Sequence, residues 1–207
     1  MAEIGDRRLY LCTPDRPDLA AFVAACIEGG VDIVQLRDKA LDARQQIEKA
    51  TVVQAVCADA GVPFVLNDRP DLALELGADG VHVGQDDAPP ALARRILGAN
   101  AIIGYSTHAP AELDGAAEEP IDYISTGPVE ATPTKPGREG TGLDYLRYAA
   151  GAAQHPFFVT GGVTPATLPS MLEAGARRFV VVRDLTESDD PRRRARALRT
   201  IIDAAWG

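Results

Sequence analysis

The fold class that this α/β sequence predicts is a (β/α)8 TIM barrel, and three observations carry the prediction. Short, nearly continuous apolar runs recur along the chain, and helix-patterned stretches separate them. None of these runs is followed by the G-x-G-x-x-G turn of a doubly wound sheet. Eight such alternations in 207 residues fit one small barrel domain over residues 1–207, with no linker or low-complexity tract to divide it.

The expected strands, in order, are Leu9 to Cys12, Asp32 to Leu36, Pro63 to Leu66, Gly80 to Val83, Ala101 to Gly104, Asp122 to Ser125, Phe157 to Thr160 and Phe179 to Val182. Each is a nearly continuous apolar run rather than a strict alternation, the pattern of a strand buried on both faces of a parallel sheet. Among the helices, Asp18 to Glu28, Ala43 to Asp59, Ala88 to Leu97 and Arg192 to Ala205 have the clearest periodicity. Gly29-Gly30, Gly61, Gly77, Gly98 and Gly175 follow periodic stretches, as helix-ending glycines do. Thr164-Pro165 reads as an N-cap followed by proline at the first helical position.

Composition narrows the function classes. Hydrophobic residues at 46% and charged residues at 25% fit a soluble chain with a sizeable core. No apolar run approaches the roughly 20 residues of a membrane span, and nothing at the start reads as a signal peptide. The net charge of −9 argues against a nucleic-acid partner, which needs an extended basic face. The dense run Arg192-Arg193-Arg194 reads as a solvated helix face. Three cysteines, Cys12, Cys26 and Cys57, lack C-x-x-C spacing and are expected as reduced, buried thiols of a cytoplasmic protein. No H-E-x-x-H cluster or G-x-S-x-G elbow is present, which sets aside zinc hydrolases and α/β-hydrolases. His82 is expected in the barrel interior, His108 at a helix opening as a cap-region surface residue, and His155 in the loop before the seventh strand.

In a barrel, chemistry belongs at the C-terminal ends of the strands. The second strand runs into Gln35-Leu36-Arg37-Asp38-Lys39, where alternation puts Gln35, Arg37 and Lys39 on one side. The third runs into Asn67-Asp68-Arg69, the fourth into Gly84-Gln85-Asp86-Asp87, the fifth into Tyr105-Ser106-Thr107-His108 and the seventh into Gly161-Gly162. After the sixth comes Thr132-Pro133-Thr134-Lys135-Pro136-Gly137, whose hydroxyls, ammonium and breaker-rich backbone suit phosphate oxygens. Cations and carboxylates ending neighbouring strands have the character of a Mg²⁺–diphosphate site, because Mg²⁺ takes one or two carboxylates plus substrate phosphates. Asp68 and Asp87 are the candidate ligands, with helix capping as their alternative role.

These segments, in this order and over nearly the whole chain, resemble the thiamine phosphate synthase family. The resemblance is carried by Gln35 to Lys39, Leu66 to Arg69, Gly80 to Asp87, Gly127-Pro128, Thr132 to Lys135 and Gly161-Gly162-Val163. It implies a barrel enzyme that joins a hydroxymethylpyrimidine diphosphate to a thiazole phosphate, giving thiamine monophosphate and pyrophosphate with Mg²⁺. Gln35 would face the pyrimidine, and Arg37 and Lys39 its diphosphate, with Asn67, Ser106 and Lys135 completing the cradle. Arg37, Lys39 and Lys135 would stabilise the leaving group, while Asp68 and Asp87 would hold Mg²⁺. Thr132, Thr134 and the Gly162 backbone would take the thiazole phosphate. The substrate-binding runs also include Leu36, Asp38, Pro133, Val182 and Arg183. The chain departs from the family's pattern at Arg183, where a small hydroxyl residue is usual, and in Val129-Glu130-Ala131.

Two other classes stay open. One is a related barrel that isomerises a thiazole carboxylate phosphate; that branch carries a histidine near the place of Pro128 and lacks the Thr-Pro-Thr-Lys run. The other is a non-catalytic phosphate-binding barrel. A homo-oligomer is a fair prior for a small barrel enzyme, and Thr132 to Gly142 is the candidate lid.

Overall fold

The computed structural model describes residues 4–132 and 139–206, so Pro133, Thr134, Lys135, Pro136 and Gly137 lie outside the described residues. The strands are β1 (Leu9–Thr13), β2 (Ile33–Leu36), β3 (Phe64–Asn67), β4 (Gly80–Val83), β5 (Ile102–Thr107), β6 (Tyr123–Thr126), β7 (Phe157–Val159) and β8 (Phe179–Val181). They pair in sequence order, all parallel, and β8 closes on β1 through Leu9–Phe179 to Leu11–Val181. The (β/α)8 expectation is met. Between the strands run α1 (Leu19–Glu28), α2 (Ala43–Ala60), α3 (Pro70–Leu76), α4 (Pro90–Leu97), α5 (Pro110–Gly115), α6 (Gly142–Ala152) and α7 (Leu168–Glu173). A short α8 (Arg183–Thr186) and α9 (Pro191–Ala204) follow β8.

Strand alternation divides the apolar residues into two cores. Val34, Leu36, Phe64, Leu66, Val81, Val83, Ile103 and Ile124 face outward and pack under the helices. Tyr10, Cys12, Ile33, Val65, Ile102, Tyr123, Phe158 and Val180 face inward and fill the barrel. Gly104 makes that filling possible: a Cβ there would overlap the Tyr123 ring and His82. At the N-terminal rim, carboxylates at the starts of even strands accept the free N–H groups of the preceding odd strands. Asp32 accepts from Leu9 N at 3.0 Å, Asp79 from Phe64 N at 2.8 Å and Asp122 from Ile103 N at 2.7 Å.

Helix α2 is bounded as its sequence dictates. The Asp42 carboxylate accepts from Gln45 N at 2.9 Å, the Gln45 side chain accepts from Asp42 N at 3.0 Å, and Gly61 ends the helix at φ 66°. Asp42→Ala is expected to cost about 1 kcal/mol of stability, read by urea denaturation; no change would mean that α2 is held by packing alone. The seventh helix differs from expectation. Thr164 and Thr167 exchange backbone–hydroxyl bonds of 2.9 and 3.2 Å in a preceding turn, and the helix proper starts at Leu168. The arginines of α9 and its N-terminal end mostly meet carboxylates, Arg192 with Glu28 and Arg199 with Asp32 and Asp203, which fits the solvated-face reading. Cys12, Cys26 and Cys57 are buried and unbridged, and burial pushes the Cys26 and Cys57 thiols up to about 12. Among the described residues, no helix is long and apolar enough to cross a membrane.

Candidate active site

Inward-facing residues change character along the barrel axis. Inward apolar residues such as Ile33, Val65, Ile102 and Phe158 give way, toward the C-terminal ends of the strands, to Gln35, Asn67, His82, Ser106 and Ser125, all buried. Above them opens a cavity of about 690 Å³ at the mouth. Its walls include Arg37, Lys39, Asp68, Asp87, Gly162 and Arg183. Gln35, Asn67, Ser106, Thr132 and Val182 line it as well. Leu36 and Asp38 alternate to the other side and line a smaller cavity of about 200 Å³, which shares Lys39, Asn67 and Asp68 with the first. The Asp38 carboxylate there accepts from the backbone N–H groups of Asp15 and Ala40.

Neither candidate metal ligand caps a helix. α3 starts after Arg69 and α4 after Pro89, each without a side-chain cap. Asp87 Oδ2 accepts from Gly84 N at 2.8 Å, which fixes the turn after β4. Asp68 is held in the left-handed region at φ 62°, a conformation that is uncommon for a residue with a Cβ and that recurs at functional sites. Its carboxylate meets Lys39 Nζ at 2.9 Å. Burial pushes the Asp68 carboxyl above its ordinary range; Lys39 pulls it back, and the neighbouring Asp87 carboxylate pushes it further up. Two oxygen donors that repel one another, beside a cavity large enough for a phosphorylated ligand, fit a hard divalent cation such as Mg²⁺. Among the described residues, no group of three or more His, Cys, Asp or Glu forms a cage for a metal ion.

Opposite this wall, Gly161 (φ 89°) and Gly162 (φ 74°) turn the backbone after β7. A Cβ on Gly161 would overlap Pro128, and one on Gly162 the Glu130 side chain, so only glycine lets the loops after β6 and β7 approach this closely. Arg183 lies at the rim with its guanidinium on Glu187, Nε to Oε1 at 2.8 Å. Next to it Asp184 has one carboxylate oxygen buried without a hydrogen-bond partner, and burial raises its pKa.

The structure also brings in residues that the sequence reading did not single out as site residues. Tyr10, Ser125, Gln85, Glu130 and Thr164 line the same cavity, and Tyr123 stands behind His82. His82 is interior, as expected, but hydrogen-bonded to both Tyr123 and Ser106. His108 is not a surface cap residue: its side chain is only 10% exposed, lines the cavity and pairs with Glu112 at 2.9 Å. The same period-2 alternation that separates Gln35 and Arg37 from Leu36 also puts Tyr10 with Cys12, and Tyr123 with Ser125, on inward faces.

Comparison with known proteins gives the chain's family and a matching fold. Residues 9–185 match the thiamine monophosphate synthase family. A thiamine-phosphate synthase from Thermobifida fusca is 52% identical over 204 residues, covering 96% of this chain and 93% of the relative. One from Saccharopolyspora erythraea is 46% identical over 210 residues, covering 96% and 94%. Among solved structures, a thiamine phosphate pyrophosphorylase from Pyrococcus furiosus superposes with a TM-score of 0.88 at 28% identity, covering 98% of each chain. The chain therefore belongs to the thiamine monophosphate synthase family and is an enzyme of the transferase class.

Proposed function

We propose that the chain joins 4-amino-2-methyl-5-hydroxymethylpyrimidine diphosphate to 4-methyl-5-hydroxyethylthiazole phosphate, or its carboxylated form. The products would be thiamine monophosphate and pyrophosphate. The observation that carries this reading is the convergence on one cavity of the cations Arg37 and Lys39, the carboxylates Asp68 and Asp87, and the Gly161-Gly162 turn on the opposite wall. Two phosphorylated groups need two separate anion sites, and the cavity has a candidate for each.

The pyrimidine's methylene C–O bond breaks with its electron pair leaving on the diphosphate, and the thiazole nitrogen lone pair forms the new C–N bond. The thiazole nitrogen is already a neutral nucleophile, so no general base is required. The difficult part is the departing negative charge. Arg37 would hold diphosphate oxygens as a planar fork and Lys39 as a mobile point charge, with Asn67 and Ser106 as neutral donors and Lys135 as a further cation. Asp68 and Asp87 would hold Mg²⁺, which when bound would neutralise diphosphate charge as a Lewis acid. Gln35, which lines the cavity beside Tyr10 and Cys12, would face the pyrimidine. Gly162 and Thr132, with Thr134, would take the thiazole phosphate. Arg183 would exchange Glu187 for that phosphate.

Pyrophosphate release tests the reading directly. Release that needs both substrates and Mg²⁺, and stops with chelator, is the expected result; no release from folded protein under any combination would overturn it. Asp68 gives a second check. Its raised pKa means that the folded protein disfavours the charged form. No penalty exists below the unfolded value of about 3.9, and the penalty develops as pH rises through the folded value. In chelator, Asp68→Asn is thus expected to melt above wild type at neutral pH, an advantage that fades in acid. Added Mg²⁺ should raise the melting temperature of wild type but not of the variant. A variant that melts lower in chelator at neutral pH would contradict the electrostatic account of this pair.

A further inference from the structure

The barrel interior contains a chain of hydrogen bonds whose middle members, Tyr10, Tyr123 and His82, have no part in the reaction as described. Gln35 Nε2 donates to Tyr10 Oη at 2.8 Å, while Gln35 Oε1 accepts from the Cys12 thiol at 3.4 Å. Tyr10 Oη lies 2.9 Å from Tyr123 Oη, and Tyr123 Oη lies 2.9 Å from His82 Nδ1. His82 Nε2 is 2.8 Å from Ser106 Oγ and 3.5 Å from Ser125 Oγ, and the two hydroxyls are 3.2 Å apart. Packing fixes the rings: His82 stacks on Tyr123 with centroids 5.5 Å apart, and Tyr10 meets Tyr123 edge-on at 5.9 Å.

Counting protons gives this chain a direction. Each phenol has one hydrogen to donate. Burial pushes the pKa of both Tyr10 and Tyr123 well above tyrosine's ordinary range, so both keep it. Tyr10 accepts from Gln35, which leaves Tyr123 as the fitting acceptor for its own hydrogen, and Tyr123 then has its hydrogen for His82 Nδ1. A ring nitrogen that accepts carries no hydrogen, so the neutral imidazole has its proton on Nε2 and donates to Ser106. Ser106 keeps its own hydrogen for Ser125 or for an oxygen in the cavity. With the opposite tautomer, Nε2 would accept, and Ser106, at 2.8 Å the nearer of the two hydroxyls beside it, would be drawn to donate to His82 rather than to an anion.

We propose that Tyr10, Tyr123 and His82 are positioning residues: a one-way hydrogen-bond relay that fixes His82 as the Nε2–H tautomer and makes the Ser106 hydroxyl a donor to a diphosphate oxygen in the cavity. The inference rests on the reading of this cavity as the diphosphate site. Tyr123 stands behind His82 and outside the cavity lining, so its effect on binding should not exceed what the groups it orients contribute.

The test uses the full chain with inorganic pyrophosphate and Mg²⁺ in a calorimeter, and ¹H–¹⁵N correlation spectra of the histidines. Ser106→Ala should weaken pyrophosphate binding by roughly tenfold or more, as for a hydrogen bond to a charged group. Tyr123→Phe, which keeps the ring and removes only the hydroxyl, should weaken it by a comparable factor. The double variant should lose no more than Ser106→Ala alone. His82→Gln, which can place an N–H where Nε2 stands, should bind nearly as wild type, whereas His82→Met should resemble Ser106→Ala. The spectra should show His82 protonated at Nε2 in wild type and no longer uniformly so in Tyr123→Phe. An Nδ1–H tautomer in wild type, or additive losses in the double variant, would overturn the relay. If wild type fails to bind pyrophosphate, or Ser106→Ala binds unchanged, the diphosphate reading fails and takes the donor role with it; the tautomer then still judges the hydrogen-bond chain by itself.

Discussion

Asp87→Asn is expected to lower kcat/KM for pyrophosphate release by roughly 10²–10³-fold, the cost of removing one preorganised electrostatic group from a transition state that develops charge. The substitution is chosen for what it leaves intact. Asp87 Oδ2 accepts from Gly84 N at 2.8 Å, and an asparagine carbonyl in the same place can keep that bond and the turn after β4. What disappears is the negative charge facing Asp68. In chelator that loss relieves the repulsion that helps push Asp68 up, so stability should hold or rise. In Mg²⁺ the apparent metal requirement should move to higher concentration, because one of two carboxylate donors has become neutral. Kinetics across a magnesium titration, beside melting curves with and without chelator, separate the two effects. A variant with wild-type kcat/KM at every magnesium concentration would remove Asp87 from the metal site, whatever its melting temperature.

The barrel itself was legible because both faces of each strand are buried. Runs such as Leu9–Thr13 and Ile33–Leu36 carry hydrophobic residues inward and outward alike, and only a parallel sheet covered by helices offers that environment. The wall of Arg37, Lys39, Asp68 and Asp87 was legible too, since these residues end neighbouring strands and the barrel brings such ends together. Less legible was the division within a run: Leu36 and Asp38, grouped with their neighbours by motif, line the smaller cavity because a strand turns successive residues to opposite sides. The interior network was hidden for a different reason. Tyr10 and Tyr123 are far apart in sequence, each reads as an apolar core residue, and only closure of the barrel brings their hydroxyls within 2.9 Å. The rim carboxylates Asp32, Asp79 and Asp122 were invisible as a set, because what they share is an unpaired N–H on a neighbouring strand. Thr164 looked like a cap and does lock a turn, but with Thr167 as its partner the helix waits until Leu168.

Phe158→Ala is expected to destabilise the protein by about 3–5 kcal/mol, the range for truncating a fully buried aromatic side chain. Phe158 sits on β7 without solvent exposure and meets Tyr10 and Tyr123 edge-on, at 5.5 and 5.4 Å between ring centres. Three rings therefore pack against one another inside the barrel, and strands fixed by hydrogen bonds on both sides cannot move inward to fill the hole left by one of them. A loss of this size is a large share of the about 5–15 kcal/mol that holds a typical domain together. Urea denaturation should show the midpoint falling at an unchanged slope. The consequence should also reach the mouth of the barrel. With Phe158 gone, Tyr123 has room to swing away from His82, and activity in the still-folded fraction should drop alongside stability. Phe158→Leu separates the contributions: it keeps much of the volume, and so should recover most of the stability, but it cannot restore the edge-on contacts that hold the Tyr123 ring. A cost below about 1 kcal/mol for Phe158→Ala would mean that the interior collapses around the vacancy, and that the aromatic layer fills space without fixing the orientation of the tyrosines beside it.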